Sequence, residues 1–398
     1  MKILTINASD YMAGGAAGVA MELHNFALAE SSEAKMIVGK KTSNNESVLE
    51  IKRPFYTKII SYLLSNDIDF FRTDYLLESK EVLSADIVHF HNVSGWYFNL
   101  KTMMKISHIK PTVWTLHDMW ALTPHCGHTS SEIIENGLFI CSNKNLYPTT
   151  LWNNDHYLSF RKSSMFRQAR LNVVTPCNWL AEKLSKTTLA EKFHSVIHNG
   201  IDTKVFKLQD KASSKLRFNV QGKRVVLFVA SDPVNNVYKG FSDFKWTAEN
   251  CKLCDTEFWA IGADNDGVLG NVRLIKATQD KALISTYLAC ADILMLSSRH
   301  EVFPLVVLEA LSCGTPVIAY DVGGVKEAIS DLPGCRVVEP LNRYELMWSL
   351  ESALIEIGSR NTEIGEQLNR FVEEKYSKVK MLNQYFELYS SLIAGSKV

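Results

Sequence analysis

Two carboxylates, Glu301 and Glu309, bracket the apolar run in "SSRHEVFPLVVLEALSCGTPVIAYDVGG", residues 297–324. Pro304 suits a first helical position and Gly314 a cap past the last, so the segment predicts a helix over 304–313 with Glu301 in the loop before it. The first amides of a helix lack partners within it and favour an anion. A carboxylate offers two acceptor oxygens, which match a vicinal diol. A sugar on one flank, a diphosphate at the helix end and a ribose on the other flank would satisfy the pattern, and that describes a nucleotide sugar. The plain alternative makes Glu309 a partly exposed position on a buried helix.

Other residues could join this chemistry. Lys239 in "ASDPVNNVYKGFSDF" stands where a helix begins, the end that a cation disfavours unless an anion is near. A solvated lysine is the alternative. His117 follows the run "PTVWTL", where an imidazole can donate to a hydroxyl or stabilise charge. His89 and His91 in "DIVHFHN" read as packing or supporting residues. Gly14, Gly15 and Gly18 precede a helix expected from about Val19, and could admit a phosphate or form a flexible turn. They match neither GxGxxG nor a P-loop. Cys251 and Cys254 form a lone CxxC with a structural reading. His125, Cys126, His128 and Cys141 could supply four zinc ligands, but their irregular spacing favours ordinary loop residues.

Apolar runs that position these residues recur along the chain. "KILTIN", "AKMIVG", "DIVHFH", "PTVWTLH", "LNVVTP" and "HSVIHNG" are followed by "RVVLFVA", "TEFWAIG", "VRLIKA", "DILMLSS", "PVIAYD" and "CRVVEP". Strands apolar almost throughout, alternating with helical patterns, predict two doubly wound α/β domains. Asn199-Gly200 marks the turn between them. The expected division is 1–200, 201–375 and a last helix over 376–398, with Tyr376, Val379, Met381, Leu382, Tyr385 and Leu388 on its apolar face. That helix could pack back on the first domain.

Length and composition set the class. The chain has 398 residues, more than one core usually serves, with 46% hydrophobic residues. Basic and acidic residues number 43 each, so no global field draws it to nucleic acid. No run reaches membrane-spanning length and no signal peptide is read at the start, so a cytoplasmic protein with reduced thiols is expected.

With these motifs in order, the chain resembles the group 1 glycosyltransferases (glycosyltransferase family 4). The matching residues are the glycine loop at 14–18, "TLHD" at 115–118, "VIHNGID" at 196–202, "YKG" at 238–240 and "EVFPLVVLEALSCGTPVIA" at 301–319. The resemblance implies a GT-B fold, two Rossmann-like domains facing across a cleft. It implies sugar transfer with retention of configuration, without a cofactor or a metal. "DID" at 67–69 and "DND" at 264–266 are read as coincidence rather than as metal motifs. Glu301 would touch the sugar and Glu309 the ribose. Lys239 and the amides near Phe303 and Leu305 would hold the diphosphate. His117 and Gly15 would lie on the first-domain side of the reacting centre.

The pattern departs from the family where an Arg usually precedes Lys-Gly; Arg299 is the nearest substitute. The base stays open, with a UDP- or GDP-sugar expected as donor. Cys177 stands where relatives often carry Ser. The aromatic segment 53–77 and the cations of "RKSSMFRQAR" at 161–170 could seat the protein on the inner membrane, at a polyprenyl-diphosphate-linked glycan acceptor of surface polysaccharide assembly. Core helix and solvated face are the alternatives. A nucleotide-sugar 2-epimerase and a non-catalytic binding protein are the other functional readings.

Overall fold

Each of the apolar runs becomes a strand. The computed structural model describes residues 1–10, 15–30, 33–358 and 361–396. The chain divides into two units, Met1–His198 with Leu382–Val398, and Asn199–Met381.

In unit 1 the strands are β1 (Lys2–Ser9), β2 (Glu33–Lys40), β3 (Val48–Glu50), β4 (Ile87–Phe90), β5 (Thr112–Thr115), β8 (Asn172–Thr175) and β9 (Phe193–Val196), with β6 (Ile134–Glu135) and β7 (Leu138–Phe139) forming a separate antiparallel hairpin. The order is β3-β2-β1-β4-β5-β8-β9, all parallel. The connecting helices are α1 (Gly15–Ala29), α2 (Phe55–Leu63), α3 (Lys80–Ser84), α4 (Leu100–Ile109), α5 (Asp155–Gln168) and α6 (Asn178–Ser185). Every residue of β4 and β5 is buried, as expected of strands covered on both faces.

Unit 2 repeats the scheme with β10 (Arg224–Val229), β11 (Thr256–Ala263), β12 (Gly267–Leu269), β13 (Val272–Lys276), β14 (Ile293–Leu296), β15 (Val317–Tyr320) and β16 (Arg336–Val338). Their order is β12-β13-β11-β10-β14-β15-β16, parallel except for the edge strand β12. Helices α7 (Lys211–Arg217), α8 (Phe241–Asn250), α9 (Lys281–Cys290), α10 (Leu305–Ser312), α11 (Val325–Ile329), α12 (Arg343–Ile357) and α13 (Asn361–Tyr376) follow. α14 (Lys378–Gly395) starts in unit 2, and its residues from Leu382 belong to unit 1.

Three expectations change. The single last helix is broken at Ser377, which forms an isolated parallel bridge with Ile201. Gly200 allows that approach: a Cβ there would lie 2.6 Å from the Ser377 carbonyl oxygen. The break rotates the expected apolar face, so Tyr376, Met381, Leu382, Tyr385 and Leu388 are buried while Val379 is 57% exposed. The helix after Glu301 starts at Leu305, because Pro304 is extended (φ −73°, ψ 120°) and caps it. α1 starts at Gly15 rather than near Val19, so Gly15 to Gly18 form its first turn; Gly14 lies outside the described residues.

Candidate functional site

In open parallel sheets ligands bind beyond the carboxyl ends of strands, where the strand order reverses. In unit 2 the reversal falls between β10 and β14. The loop after β10 closes in a 3-10 turn, Val237–Lys239, where Asn236 accepts from the Tyr238 amide at 3.2 Å. Gly240 then takes φ 68°, and a Cβ there would overlap the carbonyl of Ser297 in the loop after β14. The Ser297 hydroxyl donates to the Gly240 carbonyl at 2.9 Å, and the Arg299 amide donates to the Tyr238 carbonyl at 2.8 Å. Gly323, at φ 60°, packs its backbone against the Glu301 carbonyl from the other side.

Held this way, the two loops bring together a pair 62 positions apart: Lys239 Nζ donates to Glu301 Oε1 at 2.7 Å. The Glu301 side chain is 10% exposed and that of Lys239 31%. The pair is therefore partly desolvated yet open to an incoming group. Arg299 is exposed, its backbone bonded one residue from Lys239.

Glu309 lies one turn into α10 and is partly exposed. Desolvation pushes its carboxyl up to about 7, against the opposing pull of Lys281. Leu305 opens the helix and is half-buried. Phe303 is buried, its ring edge-on to Tyr376 at 5.5 Å. The Phe303 carbonyl accepts from Asn199 Nδ2 at 3.4 Å. Asn199 Oδ1 and the Ser298 hydroxyl are buried here without hydrogen-bond partners. Sequence reading used Asn199 only as a turn marker and passed over Ser298; their signal was position, directly before Gly200 and directly after β14.

In unit 1, His117 follows β5, and its Nε2 lies 2.8 Å from His91 Nδ1, with the rings stacked at 5.2 Å. His89 joins the same cluster: its Nδ1 meets the Tyr389 hydroxyl at 2.6 Å and its Nε2 the Thr115 hydroxyl at 2.8 Å. Thr115 in turn meets the Tyr385 hydroxyl at 2.9 Å. Burial pushes all three imidazoles down, His117 to about 4, His89 to about 3 and His91 well below its usual value. They are therefore neutral near pH 7, and His117 is suited to hydrogen bonding rather than to carrying charge. Gly15, at the start of α1, is exposed, with open space where a Cβ would point.

The basic run at 161–170 is not a continuous surface strip. Lys162 is fully buried, donating to the carbonyls of Trp120 at 2.8 Å and Thr123 at 3.0 Å, and Arg161 pairs with Asp69 at 3.2 Å. Asp67 accepts from the Trp120 indole at 2.9 Å, so both acids of "DID" have protein partners. The expectation of free thiols throughout also needs correction, because Cys126 and Cys141 are paired as a disulfide.

α2 shows an unusual polarity. Its buried residues are Thr57 and Ser61, while Phe55 is 83%, Ile59 53% and Leu63 54% exposed. Among the described residues, no helix is long and apolar enough to cross a membrane.

Comparison with known proteins follows the same division. Residues 13–205 match the family model for Glycosyltransferase Family 4, and residues 262–374 match that for Glycosyl transferases group 1. The chain is 28% identical to the putative colanic acid biosynthesis glycosyl transferase WcaC of Escherichia coli, over 98% of this chain and all of that one. Among solved structures, HepE of Anabaena in complex with UDP superposes with a TM-score of 0.67 at 16% identity, covering 98% of this chain and 100% of that one. WaaG, a glycosyltransferase involved in lipopolysaccharide biosynthesis, gives 0.66 at 14% identity, covering 97% and 99%. These structures share the fold, two Rossmann-like domains of the GT-B type. The paired family matches, read with the two sheets that carry them, make this chain a group 1 glycosyltransferase of family 4.

Proposed function

We propose that the protein is a retaining, metal-independent hexosyltransferase that moves a sugar from a UDP- or GDP-sugar to a lipid-linked glycan in bacterial surface-polysaccharide assembly. The observation that carries this reading is the Lys239–Glu301 pair at the strand reversal of unit 2. Each charge is the other's partner in this structure. A donor diphosphate would draw Lys239 away and release Glu301 to accept from sugar hydroxyls. Lys239, the amides near Phe303 and Leu305, and Arg299 would stabilise the charge that grows on the departing diphosphate. Glu309 would accept from the ribose diol; within unit 1, the neutral His117 beyond β5 and the turn at Gly15 are suited to a sugar hydroxyl.

UDP bound to HepE supports a uridine donor, and the names of WcaC and WaaG support a polysaccharide product. The outward apolar residues of α2 support a membrane-borne acceptor: exposed Lys52, Arg53, Lys58 and Arg72 flank them, suiting anionic headgroups.

Calorimetric titration of UDP, GDP, ADP and their sugar conjugates tests the donor site. Binding of one nucleotide, weakened at least tenfold by Glu309→Ala, is expected. No binding by any of them to folded protein would overturn the reading. For the membrane, flotation with vesicles containing anionic lipid should recover the wild type and lose Phe55→Ser/Ile59→Ser. Equal recovery of both would remove α2 from the account.

A further inference from the structure

A second cluster lies in unit 1 and takes no part in the transfer reading. His125 Nε2, a Cys141 Sγ and an Asp155 carboxylate oxygen all lie within 4.8 Å of one another. They come from three segments: the turn after Trp120–Leu122, the stretch after β7 and the first residue of α5. Cys126, whose sulfur meets that of Cys141, stands beside His125, with its Cα 6.1 Å from that of Cys141.

The polar atoms of this cluster are mismatched as they stand. His125 is 1% exposed, and its Nδ1 sits 2.8 Å from the Pro148 carbonyl. A carbonyl only accepts, so Nδ1 carries the proton and Nε2 presents a lone pair. That lone pair faces Asp155 Oδ1 at 3.5 Å, itself an acceptor. Neither atom has a hydrogen-bond partner, and both are buried. Burial also favours the neutral imidazole. Two buried acceptors aimed at each other cost free energy unless a proton or a metal cation lies between them. Lys162, two turns along α5, is held by the carbonyls of Trp120 and Thr123 instead.

We propose that in the reduced chain His125 Nε2, Asp155 and the thiolates of Cys126 and Cys141 bind one zinc ion as a closed structural site. Both thiols lose their protons to solvent as two Zn–S bonds form. A tetrahedral zinc with bonds of about 2.0–2.3 Å holds its ligand atoms roughly 3.3–3.8 Å apart, so the cluster closes by about 1 Å. The Pro148 carbonyl fixes the His125 tautomer, as an outer partner of a metal-bound histidine does. The Cys126 amide, which lies 3.2 Å from Cys141 Sγ, would stabilise a thiolate there. A disulfide uses the sulfurs and leaves His125 and Asp155 facing each other; zinc satisfies all four.

The test is purification of the full chain under reducing conditions, elemental analysis, and cobalt substitution of the apo-protein. One zinc per chain is expected, with tetrahedral cobalt bands and thiolate-to-cobalt charge transfer in wild type. Asp155→Asn should weaken the metal at least tenfold with its circular dichroism unchanged, and Cys141→Ser should remove the charge-transfer intensity from that sulfur. Chain without metal, failing to bind cobalt and leaving only the other six thiols open to alkylation, would show a disulfide alone and overturn the site. Metal content untouched by both substitutions would overturn it as well.

Discussion

Unit 2 carries its charges on two short loops that flank its strand reversal, residues 230–240 and 297–304, whereas unit 1 places His117 at the head of a 56-residue excursion between β5 and β8 that holds a hairpin and α5. Setting aside the antiparallel edge strand β12 and the outer strand β9, the two sheets share one strand order. In unit 2 the reactive side chains are set by two short loops clasped to each other: a capped turn, a left-handed glycine, and a hydroxyl of one loop on a carbonyl of the other. In unit 1 the imidazoles are set by residues far along the chain, Tyr385 and Tyr389, and by each other. A site built from short loops tolerates change elsewhere and fails when its own loop changes. A site built from distant packing inherits the stability of everything packed on it.

The largest test of that contrast is removal of the paired charges. Glu301→Gln and Lys239→Ala should each lower kcat by about 10²–10⁴-fold, roughly 3–5 kcal/mol, with unfolding temperatures close to wild type. A large fall in stability instead would make the pair structural and erase the contrast. Next is the stitching of the loops. Gly240→Val meets both a left-handed φ and the Ser297 carbonyl, and should cost about 3 kcal/mol or more in denaturant unfolding. Gly222→Ala, also at positive φ but in open space, should cost about 1 kcal/mol.

A pH profile sharpens the comparison further. The folded pKa of Glu309 lies above its unfolded value, so the folded state holds more protons between about 4.5 and 7. Stability is then full below that window and declines as pH rises through it. The loss should reach about 1–2 kcal/mol by pH 8, less than the full shift implies because the group is partly exposed, and Glu309→Gln should flatten that part of the profile. The smallest effect is expected at Tyr389→Phe, which strips His89 Nδ1 of its partner and should cost about 1 kcal/mol in unfolding while kcat falls less than threefold.

What the sequence disclosed follows from the same contrast. The strand runs, the helix that begins just past Lys239 and the helix after Glu301 are legible because each depends on residues within about ten positions; the 3-10 turn that holds Lys239 itself is not. β3 and β12 were missed: each has three residues at a sheet edge, too short for a period to show. The link of His91 to His117 arises from neighbouring strands, β4 beside β5, and no spacing along the chain encodes it. Lys162 read as a surface cation because composition does not reveal the Trp120 and Thr123 carbonyls that receive it. No spacing ties Asp155 to His125 and Cys141, since its approach is a product of the excursion's folding.

The assignment of residues from Leu382 onward to unit 1 has a consequence for how the protein is made. The ribosome releases the first 198 residues long before it reaches Tyr385 and Tyr389, about 10–40 s earlier at ordinary rates of synthesis. During that interval His89 and Thr115 lack their hydroxyl partners, and the nascent first unit waits with its core unfinished. Unit 2 can close behind it first. The part of the chain that is translated earliest is thus completed last, and a stop codon near the end would damage the beginning.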